Sequence, residues 1–439
     1  MFNRLLISNI VEAMTDTPVI LLSGARQTGK STLMQSLATP SAVATKSTLH
    51  YLTLDDPEVY AAVLSNPHGF IAAHEGTMLI DEVQRAPELF LAIKHAVDKD
   101  RTPGRFLLTG SANVLLLPRL SESLAGRMEI LTLRPLSQME LAQIEGADQT
   151  IRSATNLIDA WFADRSHTDQ PLPHLPAYLP VERTDFAQRL LIGGYPEVVA
   201  RSSPKRRAAW FDSYLNTVLQ RDIRDLAQID AVLQMPRLLE AIAHRTTGTL
   251  NLADVSRTLG LPHTSLKRYI TLLETVYLIE PIQAWTHRDS HRAQKAPKYY
   301  LNDSGLFAHV IGITASTVVA ASSPMSAVNG LNGALVETFV QSELRKHLSW
   351  AETSAQLMHY RTSTGVEVDF VLEDKAGNVI GIEVKSSLTV RQNDFKGLRH
   401  LQALLGDKFI RGIVLHPGDK TLQWDEKMAS IPMSCFWTI

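Results

Sequence analysis

One cysteine stands in 439 residues. That residue, Cys435, has no partner for an internal disulfide, and no Cys/His cluster has zinc-ligand spacing. Long hydrophobic runs are missing too: no window reaches the roughly 18 uninterrupted apolar residues that a membrane span needs. Met1 to Met14 hold one Arg, a short apolar run and an acid, which is too weak a pattern for a secretory signal. Neither charge dominates, with 43 Lys and Arg against 45 Asp and Glu and a pI of about 6.7. These absences predict a soluble protein of a reducing cytoplasm, with no membrane attachment. They confine any nucleic-acid footprint to a local patch.

Hydrophobic residues make up 45% and charged residues 20%, so every part of the chain can bury a core. The length exceeds what one core organises and predicts three or four compact units. Between residues 17 and 135 short apolar runs (Pro18–Leu22, Tyr51–Leu54, Met78–Ile80, Arg105–Thr109) alternate with helical patterns, the signature of a mostly parallel sheet covered on both faces. Helical patterning follows, interrupted over 165–184 by Pro171, Pro173, Pro176 and Pro180, a linker or exposed loop. The expected division is 1–136 for an α/β domain with a parallel sheet, 137–240 helical, 241–302 a winged helix-turn-helix and 303–439 a C-terminal α/β domain.

Gly24-Ala25-Arg26-Gln27-Thr28-Gly29-Lys30-Ser31 fits G-x-x-x-x-G-K-[ST] directly after an apolar strand and before a helical run. The glycines let backbone N–H groups curl around phosphates, and the next helix, with Thr32 in its first turn, points its positive end at the same anion. Lys30 is expected to bridge the β- and γ-phosphates of ATP and Ser31 to hold Mg²⁺. Thr77–Ile80 runs into Asp81 and Glu82, the first to orient a Mg²⁺-bound water and the second to polarise the attacking water.

Two further pieces resemble the AAA+ superfamily. Ser111, with Asn113 in reserve, looks like a sensor of the γ-phosphate, and Arg127 in Leu124-Ala125-Gly126-Arg127 resembles an arginine finger acting on a neighbour's nucleotide. Arg127 has a second reading as a surface residue at a helix end. The motif order, including Leu54-Asp55-Asp56-Pro57, Ile80–Gln84, Gly193-Gly194-Tyr195-Pro196-Glu197 and Arg221-Asp222-Ile223, resembles a prokaryotic family of ATPases with an AAA-type N-terminal domain and a C-terminal region of poorly defined role.

Leu252–Leu259, Gly260-Leu261-Pro262 and His263–Val276 read as a helix-turn-helix. Leu266, Tyr269, Ile270, Leu273 and Val276 form the buried stripe, and Thr264, Ser265, Lys267 and Arg268 face outward as DNA contacts. Arg288 and Arg292, with His287, His291, Lys295 and Lys298, crowd the wing. The alternative is a lid or protein-protein module.

Further on, Val366–Leu372 and Val379–Lys385 flank Asp374–Asn378 as a hairpin. Symmetry about Ala376 sets Asp369 opposite Glu383 and Glu367 opposite Lys385, and period two puts Val366, Val368, Phe370 and Leu372 on the other face. Asp369 and Glu383-Val384-Lys385 resemble the PD-(D/E)xK nuclease core, and Glu337 resembles its helical acid. That resemblance implies a divalent metal on Glu337, Asp369 and Glu383, with Lys385 assisting catalysis. Val368 stands where many members have Pro, and E-x-K on a strand is otherwise a common cross-strand charge pair.

The combined expectation is an ATP-dependent DNA-processing enzyme, a helicase or branched-DNA motor acting as a homo-oligomeric ring, expected to be a hexamer. The competing expectation is a nucleotide-dependent switch or scaffold whose nuclease-like domain only binds.

Overall fold

The computed structural model describes residues 2–38, 48–113, 124, 126–145, 156–163, 181–226, 232–287, 295–315 and 329–437. Contacts divide the chain into two compact units: Arg4–Pro135 with Ile270–Leu278, and Leu136–Tyr269 with Ile279–Ile439 and the first three residues. The helical region, most of the helix-turn-helix and the C-terminal part, expected as separate domains, share one unit. Among the described residues no helix is long and apolar enough to cross a membrane.

The first unit holds five parallel strands, β1 (Val19–Ser23), β2 (Leu49–Thr53), β3 (Thr77–Asp81), β4 (Phe106–Gly110) and β5 (Met128–Thr132), in the order β2-β3-β4-β1-β5. β1, β3 and β4 are wholly buried, as unbroken apolar runs in a sheet covered on both faces must be. Alternate residues serve the two faces. Ile20, Leu22, Leu79 and Leu107 pack with Leu33, Met34 and Leu37 of helix Lys30–Leu37. Leu21, Met78, Ile80, Phe106 and Leu108 pack with Leu89, Phe90, Ile93 and Val97 of helix Glu88–Lys99. β5 is only partly buried, which explains why no apolar run announced it.

The second unit contains one mixed sheet of eight strands: β6 (Ile279–Ala284), β7 (Lys298–Leu301), β8 (Ala355–Arg361), β9 (Glu367–Asp374), β10 (Val379–Val384), β11 (Phe409–His416), β12 (Leu422–Gln423) and β13 (Met428–Pro432). Their order is β12-β13-β11-β10-β9-β8-β6-β7. The wing hairpin β6–β7 is therefore no free wing, because β6 pairs in parallel with β8 and extends the C-terminal sheet.

The β9–β10 register, Ile382 to Phe370 and Val379 to Glu373, is the symmetry about Ala376 expected from the sequence. The expected apolar face does not hold along all of β9. Val371 to Val368 spans three residues where Met358 to Tyr360 spans two, a bulge that shifts side-chain alternation. Val368 and Val371 thus share the core beneath helix Lys396–Leu405, while Phe370 meets Tyr300 instead, ring centroids 5.8 Å apart.

The Gly193-Gly194 motif has a packing cause. Gly193 has φ 68°, its Cβ would collide with Asp303, and the Gly194 N–H donates to the buried Asp303 Oδ2 at 2.7 Å.

Candidate functional site

The nucleotide site sits at the carboxyl ends of β1, β3 and β4, where open α/β sheets bind ligands. Gly24 and Gly29 have φ of 149° and 94°, and a Cβ on Gly24 would collide with the Leu133 carbonyl oxygen, so only glycine lets the loop close this tightly. Lys30 is buried, and its Nζ donates to the carbonyl oxygens of Gly24 at 2.9 Å and Ala25 at 2.8 Å. Arg4 braces the loop from outside, donating to the carbonyls of Thr28 at 2.7 Å and Arg134 at 2.6 Å. Ser31 and Thr32 lie in the first turn of helix Lys30–Leu37.

Asp81 ends β3 and accepts hydrogen bonds from the Thr109 hydroxyl and, at 3.1 Å, from Tyr51 OH. Burial and the Asp81 charge push the Tyr51 phenol up to about 12. Glu82 stands in left-handed backbone, φ 59° and ψ 42°, uncommon for a residue with a Cβ and a form of strain concentrated at functional sites. Its N–H donates to Thr109 Oγ1 at 3.0 Å, so one threonine fixes both acids.

Gln84 Nε2 donates to Glu82 Oε2 and, at 3.0 Å, to Ser111 Oγ, tying Ser111, the expected sensor, to the carboxylate. Thr109, Gln84 and Tyr51 escaped the sequence reading. Gln84 lies in the quoted Ile80–Gln84 motif, but its role needs β4 beside β3.

Arg127 Nε donates to Asp98 Oδ1 of the same chain at 2.6 Å. That bond is the main cause holding the Asp98 carboxyl below its ordinary range.

In the helix-turn-helix, Asn251 caps Leu252–Leu259 through the N–H groups of Ala253 and Asp254, and Gly260 turns the chain with φ 66°. Helix His263–Thr275 buries the expected stripe of Leu266, Tyr269, Ile270, Leu273 and Val276. Thr264, Lys267 and Arg268 are exposed and Ser265 is half-buried. Arg288, His291 and Arg292 lie outside the described residues, as does the expected linker up to residue 180.

Lys298 overturns one expectation: it is no part of an exposed basic wing. Its side chain is fully buried, with Nζ 2.7 Å from Glu367 Oε1, 3.4 Å from Glu337 Oε1 and 4.0 Å from Asp369 Oδ1. Glu337, Asp369 and Glu367 do converge, but around an ammonium group. Among the described residues no group of three or more His, Cys, Asp or Glu is arranged to hold a metal ion. The expected metal set of Glu337, Asp369 and Glu383 is therefore not assembled as a cation cage.

Glu383 instead accepts from Lys385 Nζ at 2.9 Å, and Asp369 Oδ2 accepts from the Val384 N–H at 2.8 Å. The β9–β10 pairs run as far as Ile382 and Phe370, and beyond them the Lys385 N–H donates to the Leu415 carbonyl of β11. Burial, reinforced by the Asp369 charge, pushes Glu337 and Glu383 each up to about 8.

Comparison with known proteins gives three segments. Residues 16–142 match the family described as AAA domain, 183–317 a domain of unknown function (DUF8612) and 332–436 another domain of unknown function (DUF4143). Two relatives, the uncharacterized proteins Mb2031c of Mycobacterium bovis and Rv2008c of Mycobacterium tuberculosis, are each 27% identical over 420 residues, 96% of this chain and 81% of theirs. Among solved structures, AMPPCP-bound DnaA from Aquifex aeolicus has 12% identity and a TM-score of 0.25, covering 61% of this chain and 86% of its own. A DNA polymerase III gamma subunit-related protein from Thermotoga maritima has 14% identity and a TM-score of 0.23, covering 62% and 97%. Scores this low carry no weight. The family match and the geometry of Lys30, Asp81 and Glu82 agree: the chain carries an AAA-type ATPase domain over residues 16–142.

Proposed function

We propose that the chain is an ATP-dependent DNA-processing enzyme, in which hydrolysis at the P-loop is coupled to DNA held by the helix-turn-helix. The observation that carries this reading is helix His263–Thr275 itself. Lys267 and Arg268 are exposed near its start, and from Ile270 the chain belongs by its contacts to the ATPase unit. There the Thr275 carbonyl accepts from the Asn113 N–H at 2.8 Å, and Tyr277 OH meets Ser23 Oγ at 2.6 Å. In this reading the chain that follows the DNA-binding turn thus reaches Ser23, the last residue of β1, and Asn113, just after β4.

In the ATP complex, Lys30 exchanges its two carbonyl partners for phosphate oxygens, and the loop from Gly24 to Ser31, with Thr32, supplies N–H donors. Ser31 and Asp81 would hold Mg²⁺, which neutralises phosphate charge when bound. Glu82 orients water as general base, and Gln84 and Ser111 report whether the γ-phosphate is present. Arg127 serves a neighbouring subunit in a homo-oligomer, a hexameric ring in our reading, and must first leave Asp98.

The switch or scaffold reading retains one specific support, the Lys298 ammonium seated among the C-terminal carboxylates, and cleavage is accordingly left out of the proposed function. The deciding experiment measures ATP turnover of the full chain without DNA and with single-stranded, duplex and branched DNA. Turnover independent of all three would favour the switch.

A further inference from the structure

The C-terminal sheet brings three carboxylates together from two elements: the buried Glu337 from helix Asn329–Leu348, and the half-buried Glu367 and Asp369 from β9. Uncompensated, such a group could not stay ionised away from water. A divalent ion is one remedy, requiring carboxylate oxygens at about 2.0–2.6 Å. This chain carries another. Lys298 reaches in from β7 with no exposed surface, and its Nζ lies within ion-pair distance of one oxygen of each acid.

Two of the acids have further partners. Tyr300, two residues on and on the same face of β7, donates to Glu337 Oε1, while Val384 N–H serves Asp369 Oδ2. Arg361 Nη1 stands 3.9 Å from Glu367 Oε2. Burial alone would lower the Lys298 ammonium, but Glu337, Asp369 and Glu367 outweigh it and raise it. Glu383, the acid that a metal cage would add, is held by Lys385, which also lies 3.9 Å from Asp394.

We propose that Lys298 is a tethered cation occupying the position a divalent metal would need among Glu337, Glu367 and Asp369, so that this pocket takes no divalent ion until the lysine is removed. A metal ion and an ammonium cannot share these oxygens: both are cations, and the ion's contact distances place it in the volume that Nζ fills. The wing hairpin therefore plugs the very site that the C-terminal hairpin would otherwise build.

The test uses the full-length chain without nucleotide and MnCl₂ as probe, free Mn²⁺ being read by electron paramagnetic resonance. Wild type, Lys298→Ala, Asp369→Asn and the double variant are compared, so that weak uptake at the P-loop cancels. Lys298→Ala is expected to take up about one more Mn²⁺ than wild type at concentrations on the order of 0.1–1 mM, and the double variant to lose that gain. Asp369→Asn alone is expected to match wild type. An Asp369-dependent Mn²⁺ already present in wild type overturns the proposal, as does a folded Lys298→Ala chain with no gain. If Lys298→Ala does not fold, wild type against Asp369→Asn decides: equal uptake supports the plug, and a site lost in Asp369→Asn refutes it. Failure of the DNA-coupled ATPase reading would leave these outcomes untouched, since they concern a different unit.

Discussion

Tyr277 OH lies 2.6 Å from Ser23 Oγ, joining the turn after helix His263–Thr275 to the last residue of β1. The Ser23 proton goes to the Ala112 carbonyl at 3.1 Å, so Tyr277 is the donor. Tyr277 holds φ 58° to reach this position, uncommon for a bulky residue. If this bond carries the coupling, Tyr277→Phe should keep basal ATP turnover within about threefold, lower stability by about 1 kcal/mol and abolish stimulation by DNA. Stopped assays with and without duplex measure it; undiminished stimulation would move the coupling elsewhere.

The two halves of the nucleotide site should separate cleanly. Lys30→Ala is expected to abolish tight ATP binding, because it removes the charge that meets the phosphates. Glu82→Gln should bind ATP normally and turn over at least about a hundredfold more slowly. Equal loss of affinity in both variants would remove Glu82 from the role of base.

Arg127 is bonded to Asp98 within the chain. Arg127→Ala should leave nucleotide affinity nearly intact and cut hydrolysis by about 10³-fold, the lower range for an arginine finger. Mixing it with Lys30→Ala should restore part of the turnover if the arginine acts across subunits. Intact mixed oligomers without rescue would assign Arg127 to its surface pairing with Asp98.

What the sequence disclosed was what is contiguous in it. The P-loop is eight adjacent residues, and β1, β3 and β4 are unbroken apolar runs, so both could be read directly. The β9–β10 register followed from hairpin symmetry. Thr109, Gln84 and Tyr51 could not be found that way, since their roles arise only when β2, β3 and β4 lie side by side. Lys298 was misassigned because counting charge along a segment cannot tell a solvated lysine from a buried one. The available signal was period two: Lys298 shares its strand face with Tyr300, and both sit inside. The β9 bulge, which moves Phe370 off the face of Val368, leaves no mark in an alternating pattern.

His347 predicts a pH dependence. Burial lowers its imidazole to about 4, against an ordinary 6.5, beside the rings of Phe436 and Trp350. The unfolded chain therefore binds a proton that the folded chain refuses between these values. Stability from this residue is complete above pH 6.5 and is lost as pH falls toward 4, by on the order of 3 kcal/mol. Urea titrations from pH 7 to 4 should show the decline, and His347→Gln should reduce it, leaving the share of His359, which burial likewise lowers to about 4. An unchanged slope would place the acid sensitivity on other groups.

The most direct test of the central claim is the ATP turnover of the full chain titrated with branched and duplex DNA, beside a variant carrying Lys267→Ala and Arg268→Ala. DNA-stimulated turnover is expected in the native chain. In the variant, stimulation should shift to higher DNA concentration, with a salt dependence of binding flatter by roughly one unit for each phosphate contact removed. Basal turnover should be equal in both, because these side chains are exposed on the helix-turn-helix, outside the ATPase unit. Turnover that ignores DNA, or a variant that binds and responds to DNA like the native chain at every salt concentration, would contradict the central claim.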